Sequence, residues 1–317
     1  MNKCPHKSNV TVPKRVIFIG SCSYSGSTIL DLILGSVDGA ASMGEVGRIY
    51  LPRRKEHFDR ECGCLKEGCT HWDSVLEGGM KNIHTRAFEE FKVSTLVDST
   101  KDPFWIRERG LELERIGVEV INLLIWKTPS EIMASFAKRG IRRAWRRSWQ
   151  NYHLLYFSLI REFHPIPFGS LLRGGSDFIM RLNDAGIHRY NLEYWNSPGH
   201  TLFGNDSAKR HLHEEGTREF LEIQKRRAQR IGDKETGFSF REIKTDEVRP
   251  VAKENGKVKD IKDFLLNYDN LDNLEREEYQ RRVSFYFGGL SSAVRKYFEI
   301  SKSFLPYLKW KLSIKIE

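Results

Sequence analysis

Between Gly20 and Thr28 the chain reads Gly-Ser-Cys-Ser-Tyr-Ser-Gly-Ser-Thr, a run of small and hydroxyl-bearing residues. Residues this small let successive backbone N–H groups turn towards one point, and Ser25, Ser27 and Thr28 add hydroxyl donors. That pattern suits the cradling of a phosphate. A triphosphate-hydrolysing loop would read Gly-x4-Gly-Lys-Ser/Thr, whereas five residues separate Gly20 from Gly26 here and no lysine follows. The Gly-x-Gly-x-x-Gly of a dinucleotide site is also absent. Three more segments carry usable chemistry. Met43-Gly44-Glu45-Val46-Gly47-Arg48 sets a carboxylate three residues from a guanidinium. Asp98-Ser99-Thr100-Lys101-Asp102-Pro103-Phe104 holds a cation between two acids, and Trp126-Lys127-Thr128-Pro129 is followed by Ser135.

The elements around these segments bring them together. Val16 to Ile19 is an apolar, β-branched run stopped by Gly20, which predicts a buried strand, and Ser27 to Leu34 predicts the following helix with Gly35 as its stop. Ser94 to Val97 predicts a second strand. Asp102-Pro103 then reads as an N-cap followed by proline at the first helical position, for a helix ending near Ile116. Val118 to Trp126 predicts a third strand. Thr128-Pro129 repeats the cap for a helix that turns Ile132, Met133 and Phe136 inward before Gly140. Alternating strands and helices imply an α/β fold, a P-loop-like parallel sheet flanked by helices. All strand ends in such a sheet open on one edge, so the loop at residues 20–28, Glu45, Lys101, Lys127 and Ser135 are expected to converge.

The chain reads as one domain over 1–317. Residues 206–260 are expected to form a polar peripheral segment with a helix near Thr217 to Arg230. The C-terminal part is expected to be largely helical. A last helix over about Glu275 to Phe298 turns Tyr279, Val283, Tyr286, Leu290, Val294 and Tyr297 to one side. The basic, aromatic tail within 275–317 can touch a membrane surface peripherally, although packing on the protein body is the favoured reading.

Fifty-two Lys and Arg against 42 Asp and Glu leave a net charge of +10, which favours anionic partners. Six cations fall between Lys138 and Arg147 without an acid, and these form either a solvated helix face or an anion site. The apolar run Val120 to Trp126 is too short to span a bilayer, and the first fourteen residues lack a signal peptide's apolar stretch, so a cytoplasmic location is expected. Five cysteines argue against a disulfide framework. Cys62, Cys64 and Cys69 with His71 offer zinc donors at a spacing unlike the standard fingers, and a local disulfide or reduced thiols is the favoured reading. Trp145, Trp149 and Tyr152 recur at helical spacing, suited to a core stripe or to stacking an adenine. His153, His164, His188 and His200 show no metal-ligand spacing and are expected to be structural.

These motifs together resemble the sulfotransferase family. Ser25-Gly26-Ser27-Thr28 is similar to its loop for the 5′-phosphosulfate of 3′-phosphoadenosine 5′-phosphosulfate (PAPS), and Lys127 with Ser135 to its pair for the donor's 3′-phosphate. Gly44-Glu45 and Lys101-Asp102-Pro103-Phe104 are similar to segments of the tyrosylprotein sulfotransferases. The resemblance implies Glu45 as general base and Lys101 at the sulfuryl group. The Cys62 to Trp72 stretch resembles bacterial members. So does His200-Thr-Leu-Phe-Gly204-Asn205, where a nearby basic residue, Lys209 or Arg210, is implied in holding the nucleotide. The likeness spans about residues 14–210, and the first 140 match specifically. Tyr24 stands where the family has a basic residue, and Lys127-Thr128-Pro129 where it has Arg-Asp-Pro. The implied activity is metal-free, in-line sulfuryl transfer from PAPS to a small-molecule, carbohydrate, lipid or peptide hydroxyl or amine. The alternatives are a nucleotide-binding module of the same fold without turnover, motivated by Tyr24, and a nucleic-acid-binding basic protein. The second lacks any recognisable nucleic-acid motif.

Overall fold

The computed structural model describes residues 13–52, 57, 62–66, 68–141, 143–173, 175–196, 199–205, 209, 217, 218, 221 and 255–287. In chain order, β1 (Arg15–Gly20) leads into α1 (Ser27–Gly35) and β2 (Ala40–Gly44). Helices α2 (Asp73–Glu77) and α3 (Gly79–Phe91) precede β3 (Thr95–Asp98), α4 (Pro103–Arg115) and β4 (Glu119–Trp126). Next come α5 (Pro129–Ala137), α6 (Trp145–Leu159), β5 (His164–Pro167), α7 (Phe168–Arg173) and α8 (Ser176–Asp184). The C-terminal pair is α9 (Gly256–Asn267) and α10 (Asn273–Phe287).

The strands form one parallel sheet in the order β2-β3-β1-β4-β5. Parallel pairing requires crossover connections, and the side chains of β1 alternate accordingly. Val16 and Phe18 enter one apolar layer with Trp105, Phe136 and Trp149. Ile17 and Ile19 enter the other with Leu30, Ile33, Phe168 and Phe178. Helix α1 therefore lies on the sheet face opposite α4, α5 and α6. The chain turns left from β1 and right from β4, so the crevice between those two strand ends is the topological switch point, where ligands of open α/β sheets sit.

The expected cap-plus-proline starts are present at both helices. Asp102 accepts from the N–H groups of Phe104 and Trp105 ahead of α4. Thr128 and Glu131 close a reciprocal capping box ahead of α5. The second expected strand runs Thr95–Asp98 rather than Ser94 to Val97, because Asp98 still pairs with Phe18 and Gly44. Strands β2 and β5 were not legible. Ala-Ala-Ser-Met-Gly has no apolar alternation, and His-Pro-Ile-Pro carries two prolines that only an edge position tolerates.

Helices α9 and α10 pack on α6. Phe264 stacks on Tyr279 with ring centroids 3.9 Å apart, and both rings meet Phe157 edge-on. Tyr279 and Val283 are buried, as their spacing predicts. Residues 256–260, assigned to the polar peripheral segment, instead open α9, which buries Val258. The rest of that segment, most of the helix expected near Thr217, the last helix beyond Phe287 and the basic tail lie outside the described residues. No helix among the described residues is long and apolar enough to cross a membrane.

Phe264→Ala removes the ring that joins α9, α10 and α6, so unfolding stability is expected to fall by about 3–5 kcal/mol in urea titrations. A loss under about 1 kcal/mol would show that the C-terminal helix pair is peripheral to the core.

Candidate active site

The loop after β1 is held in a shape that few residues tolerate. Gly26 has φ +97°, and a Cβ there would lie 2.5 Å from the Phe168 ring, so glycine is required on both conformational and steric grounds. Helix α1 starts at Ser27 with no side-chain cap, which leaves its first N–H groups directed at the loop's concavity. The Ser21 and Ser25 hydroxyls are buried with no hydrogen-bond partner among the described residues. An unpaired buried hydroxyl costs about 1–3 kcal/mol, and an oxyanion seated on the loop would relieve it. Thr28 Oγ1 accepts from the Asn205 N–H at 3.0 Å, which fastens a strap, residues 199–205, over the start of α1.

Across the switch point, Lys127 Nζ donates to Ser135 Oγ at 3.0 Å, so the expected pair forms. The same ammonium sits 3.8 Å from the centre of the Phe168 ring, the ring that also packs against Gly26. Trp149 Nε1 donates to the Lys127 carbonyl at 2.8 Å. Arg139, one residue of the basic run, extends the group. Its guanidinium lies 3.9 Å from the Tyr24 ring centre and donates to the Ser135 carbonyl at 2.8 Å. A cation therefore stands directly over the Tyr24 ring. Arg139 belongs to the basic run and falls one helical turn after Ser135, the two signs of it in the sequence.

Glu45 and Lys101 meet as expected, with Lys101 Nζ 2.6 Å from Glu45 Oε1. Arg48 Nε lies 3.5 Å from Glu45 Oε2 and its Nη2 donates to the Thr100 carbonyl at 3.0 Å. Glu45 is 7% exposed and Arg48 4%, so theirs is a buried ion pair and not a surface one. Lys101 adopts φ +68°, an uncommon conformation for a lysine, and its carbonyl accepts from the Tyr152 hydroxyl at 2.9 Å. The Glu45 N–H donates to the Leu202 carbonyl at 2.9 Å, so the strap touches this pair as well as the loop after β1.

Asp31 was not legible as a site residue. It lies within α1, fully buried, and accepts from Ser42 Oγ at 2.8 Å and Ser99 Oγ at 3.2 Å. Burial raises its pKa to about 8, with Asp98 acting in the same direction and the two hydroxyls and Lys101 opposing. The carboxyl is therefore mainly neutral at pH 7. Asp98, beneath it, accepts from Trp105 Nε1 at 2.8 Å and pairs with His84 Nε2 at 3.0 Å.

Trp145 and Trp149 are core residues, and Tyr152 packs against that core. Arg143, Arg146 and Arg147 line a recess of about 490 Å³ with Trp145, Gln150 and Asn151. His153 is fully buried, and that burial pulls its pKa down to about 4. Lys209 is buried, and Arg210 lies outside the described residues. Cys62, Cys64 and Cys69 are free, the reduced-thiol alternative of the two expected, and one expectation is corrected: the histidine that joins them is His200 rather than His71. Spacing within 62–71 offered His71 as a nearby donor, whereas the fold brings His200 across from the strap.

The fold and site together define a parallel α/β protein with a glycine-dependent loop of buried hydroxyls at its switch point. No protein-family model matches the chain, and neither does any curated protein. Among solved structures it is similar to the sulfotransferase domain from the Synechococcus PCC 7002 olefin synthase, at 15% identity and TM-score 0.47, covering 85% of this chain and 99% of that one. It is also similar to the sulfotransferase domain from the curacin biosynthetic pathway, at 14% identity and TM-score 0.41, covering 68% and 98%.

Asp31 also generates a pH dependence. Its folded pKa, about 8, lies above the ordinary carboxyl value of 3.8, so the folded state holds a proton that the unfolded state has released between those values. Its stabilising share is complete below the ordinary value and is lost as pH rises towards 8, with a slope of up to about 1.4 kcal/mol per pH unit. Asp31→Asn keeps the shape and removes the titration. Urea denaturation between about pH 5 and pH 8 is expected to show a flatter stability profile in the variant. Parallel profiles would show that Asp31 titrates normally.

Proposed function

We propose that the protein transfers a sulfuryl group from PAPS to a hydroxyl or amine acceptor. The observation that carries the reading is the Lys127–Ser135 pair, set across the Phe168 ring from the loop that begins α1. A donor with phosphate groups at both its 5′ and 3′ ends needs two separate anion sites, and a nucleoside triphosphate needs only one. In this reading Ser25, Gly26, Ser27 and Thr28 hold the 5′-phosphosulfate, and Lys127 and Ser135 hold the 3′-phosphate. Arg139, stacked on Tyr24, compensates for the basic residue that Tyr24 displaces.

The acceptor's oxygen or nitrogen attacks sulfur in line with the bridging oxygen of the donor. The new bond to sulfur forms as the sulfur–oxygen bond to the 5′-phosphate breaks, and adenosine 3′,5′-bisphosphate leaves with that electron pair. Glu45 accepts the acceptor's proton. Lys101 turns from Glu45 to the developing charge on the sulfuryl oxygens as donor binds, which releases the carboxylate to act as base. The acceptor is a small molecule, carbohydrate, lipid or peptide. Tyr24 favours a second reading, a nucleotide-binding module of the same fold without turnover, which binding without transfer would establish.

Adenosine 3′,5′-bisphosphate is expected to raise the melting temperature well above the value reached with ATP and magnesium, because ligand that binds only the folded state stabilises it by mass action. Equal or greater stabilisation by ATP would remove the donor assignment. Lys127→Ala is expected to weaken bisphosphate binding by about 10-fold or more in calorimetry, the worth of one charge-assisted contact. Glu45→Gln is expected to slow turnover of radiolabelled donor by about 100-fold or more while bisphosphate affinity holds. Full turnover in that variant would leave Glu45 as a structural partner of Lys101 and Arg48.

A further inference from the structure

We propose that Cys62, Cys64, Cys69 and His200 bind one zinc ion in a closed tetrahedral site, which ties residues 62–69 to the strap over the active site. The three sulfurs and His200 Nδ1 all lie within 4.8 Å of one another. His200 Nδ1 is 3.4 Å from Cys62 Sγ and 3.6 Å from Cys69 Sγ. Zinc bonds of about 2.3 Å to sulfur and about 2.0 Å to nitrogen place the nitrogen–sulfur edges of a tetrahedron at about 3.5 Å. Both of these nitrogen–sulfur distances already match ligand spacing, and the remaining donor separations stay within 4.8 Å. No disulfide joins Cys62, Cys64 and Cys69, so all three sulfurs are available as donors.

Local backbone geometry favours this use. Leu65 and Gly68 have positive φ, which folds the chain back so that three cysteines within eight residues face one point. The Leu65 N–H donates to the Cys62 carbonyl at 3.1 Å and the Cys69 N–H to the Lys66 carbonyl at 3.3 Å. Gly63 lies so close to the strap that a Cβ would stand 2.8 Å from the Thr201 carbonyl, and its N–H donates to that oxygen at 2.7 Å. The histidine is oriented from outside the donor set. Trp72 Nε1 donates to the His200 carbonyl, and the His200 ring stacks on His71 with centroids 4.0 Å apart. His71 in turn stacks on Phe91 at 4.5 Å. Such support around a ligating imidazole fixes its direction.

Binding replaces three thiol protons with the metal and leaves an imidazole nitrogen as the fourth donor. The bound group carries a net charge of −1, offset by nearby Lys66. Three thiolates and one imidazole in a tetrahedron suit zinc, and with four protein ligands the ion has no open position for substrate. Its role is structural. Through the strap it steadies the Leu202 carbonyl that receives the Glu45 N–H and the Asn205 N–H that donates to Thr28. The site stands independently of the transferase reading.

The test uses the full chain, purified without chelator from zinc-supplemented medium. Elemental analysis is expected to give about one zinc per chain, and replacement by cobalt to give the intense visible bands of a tetrahedral thiolate site. The three thiols are expected to resist a thiol reagent until a strong chelator removes the metal. His200→Ala is expected to lose zinc to a competing chelator more than about 10-fold more readily and to shift the cobalt spectrum. His71→Ala removes a stacking partner and not a ligand, so it is expected to keep about one zinc per chain and tetrahedral thiolate cobalt bands. Zinc-free folded protein after zinc dialysis, a disulfide among the three cysteines in the chain purified without reductant, or iron or copper in place of zinc would each overturn the assignment. So would loss of the cobalt bands in His71→Ala with retention in His200→Ala. Should His200→Ala fail to fold, the cobalt spectrum and thiol protection of the wild-type chain decide alone.

Discussion

A carboxylate cannot stay charged out of water unless a cation shares its burial, and Glu45 meets that condition with Lys101 at 2.6 Å and Arg48 at 3.5 Å. Much of the site's geometry follows from satisfying this one group. Lys101 reaches Glu45 from a left-handed backbone position, which the Tyr152 hydroxyl on its carbonyl helps to hold. Arg48 is anchored by the Thr100 carbonyl, so the turn after β3 and the turn after β2 become one unit. Asp102 caps α4 from the same turn and lies 3.9 Å from Arg48. Because β2 and β3 are neighbours in a parallel sheet, these contacts bridge two adjacent strand ends and need no long reach.

The legible parts of the fold were those with a local physical signature. Proline after Asp102 and after Thr128, and the β-branched runs of β1 and β4, announce helix starts and buried strands on their own. The Lys127–Ser135 and Glu45–Lys101 pairs followed once a parallel sheet was inferred, because the topology brings strand ends to one edge. What stayed hidden was non-local or unpatterned. Ala40–Gly44 forms a strand because β3 supplies partners for its backbone, while its small side chains carry no period. His200 joins cysteines more than 130 residues earlier through the antiparallel bridge between Cys62 and Leu202. Asp31 reads as an ordinary polar position of an amphipathic helix until Ser42 and Ser99 are seen to close over it.

The loop after β1 and the Lys127–Ser135 pair approach the switch point from opposite sides of the sheet. Helix α1 supplies N–H groups from one face, while Lys127, Ser135 and Arg139 come from α5 and the strand end that leads into it, on the other. Phe168, at the end of β5, separates them, packing on Gly26 and lying under the Lys127 ammonium. An aromatic face below a cation holds that charge by its quadrupole without neutralising it, which leaves the ammonium able to serve an anion.

The neutral carboxyl of Asp31 has a consequence for observing the protein at work. A protonated, buried carboxyl has a carbonyl stretch well separated from the amide and carboxylate bands, so this side chain is a built-in infrared label. It lies one helical turn beyond Thr28, whose hydroxyl belongs to the loop, and it accepts from the serine just before Thr100 and Lys101. Its frequency reports hydrogen-bond strength at the point where the loop, the strap and the Glu45 cluster meet. Vibrational difference spectra can therefore follow occupancy of the site without an added probe.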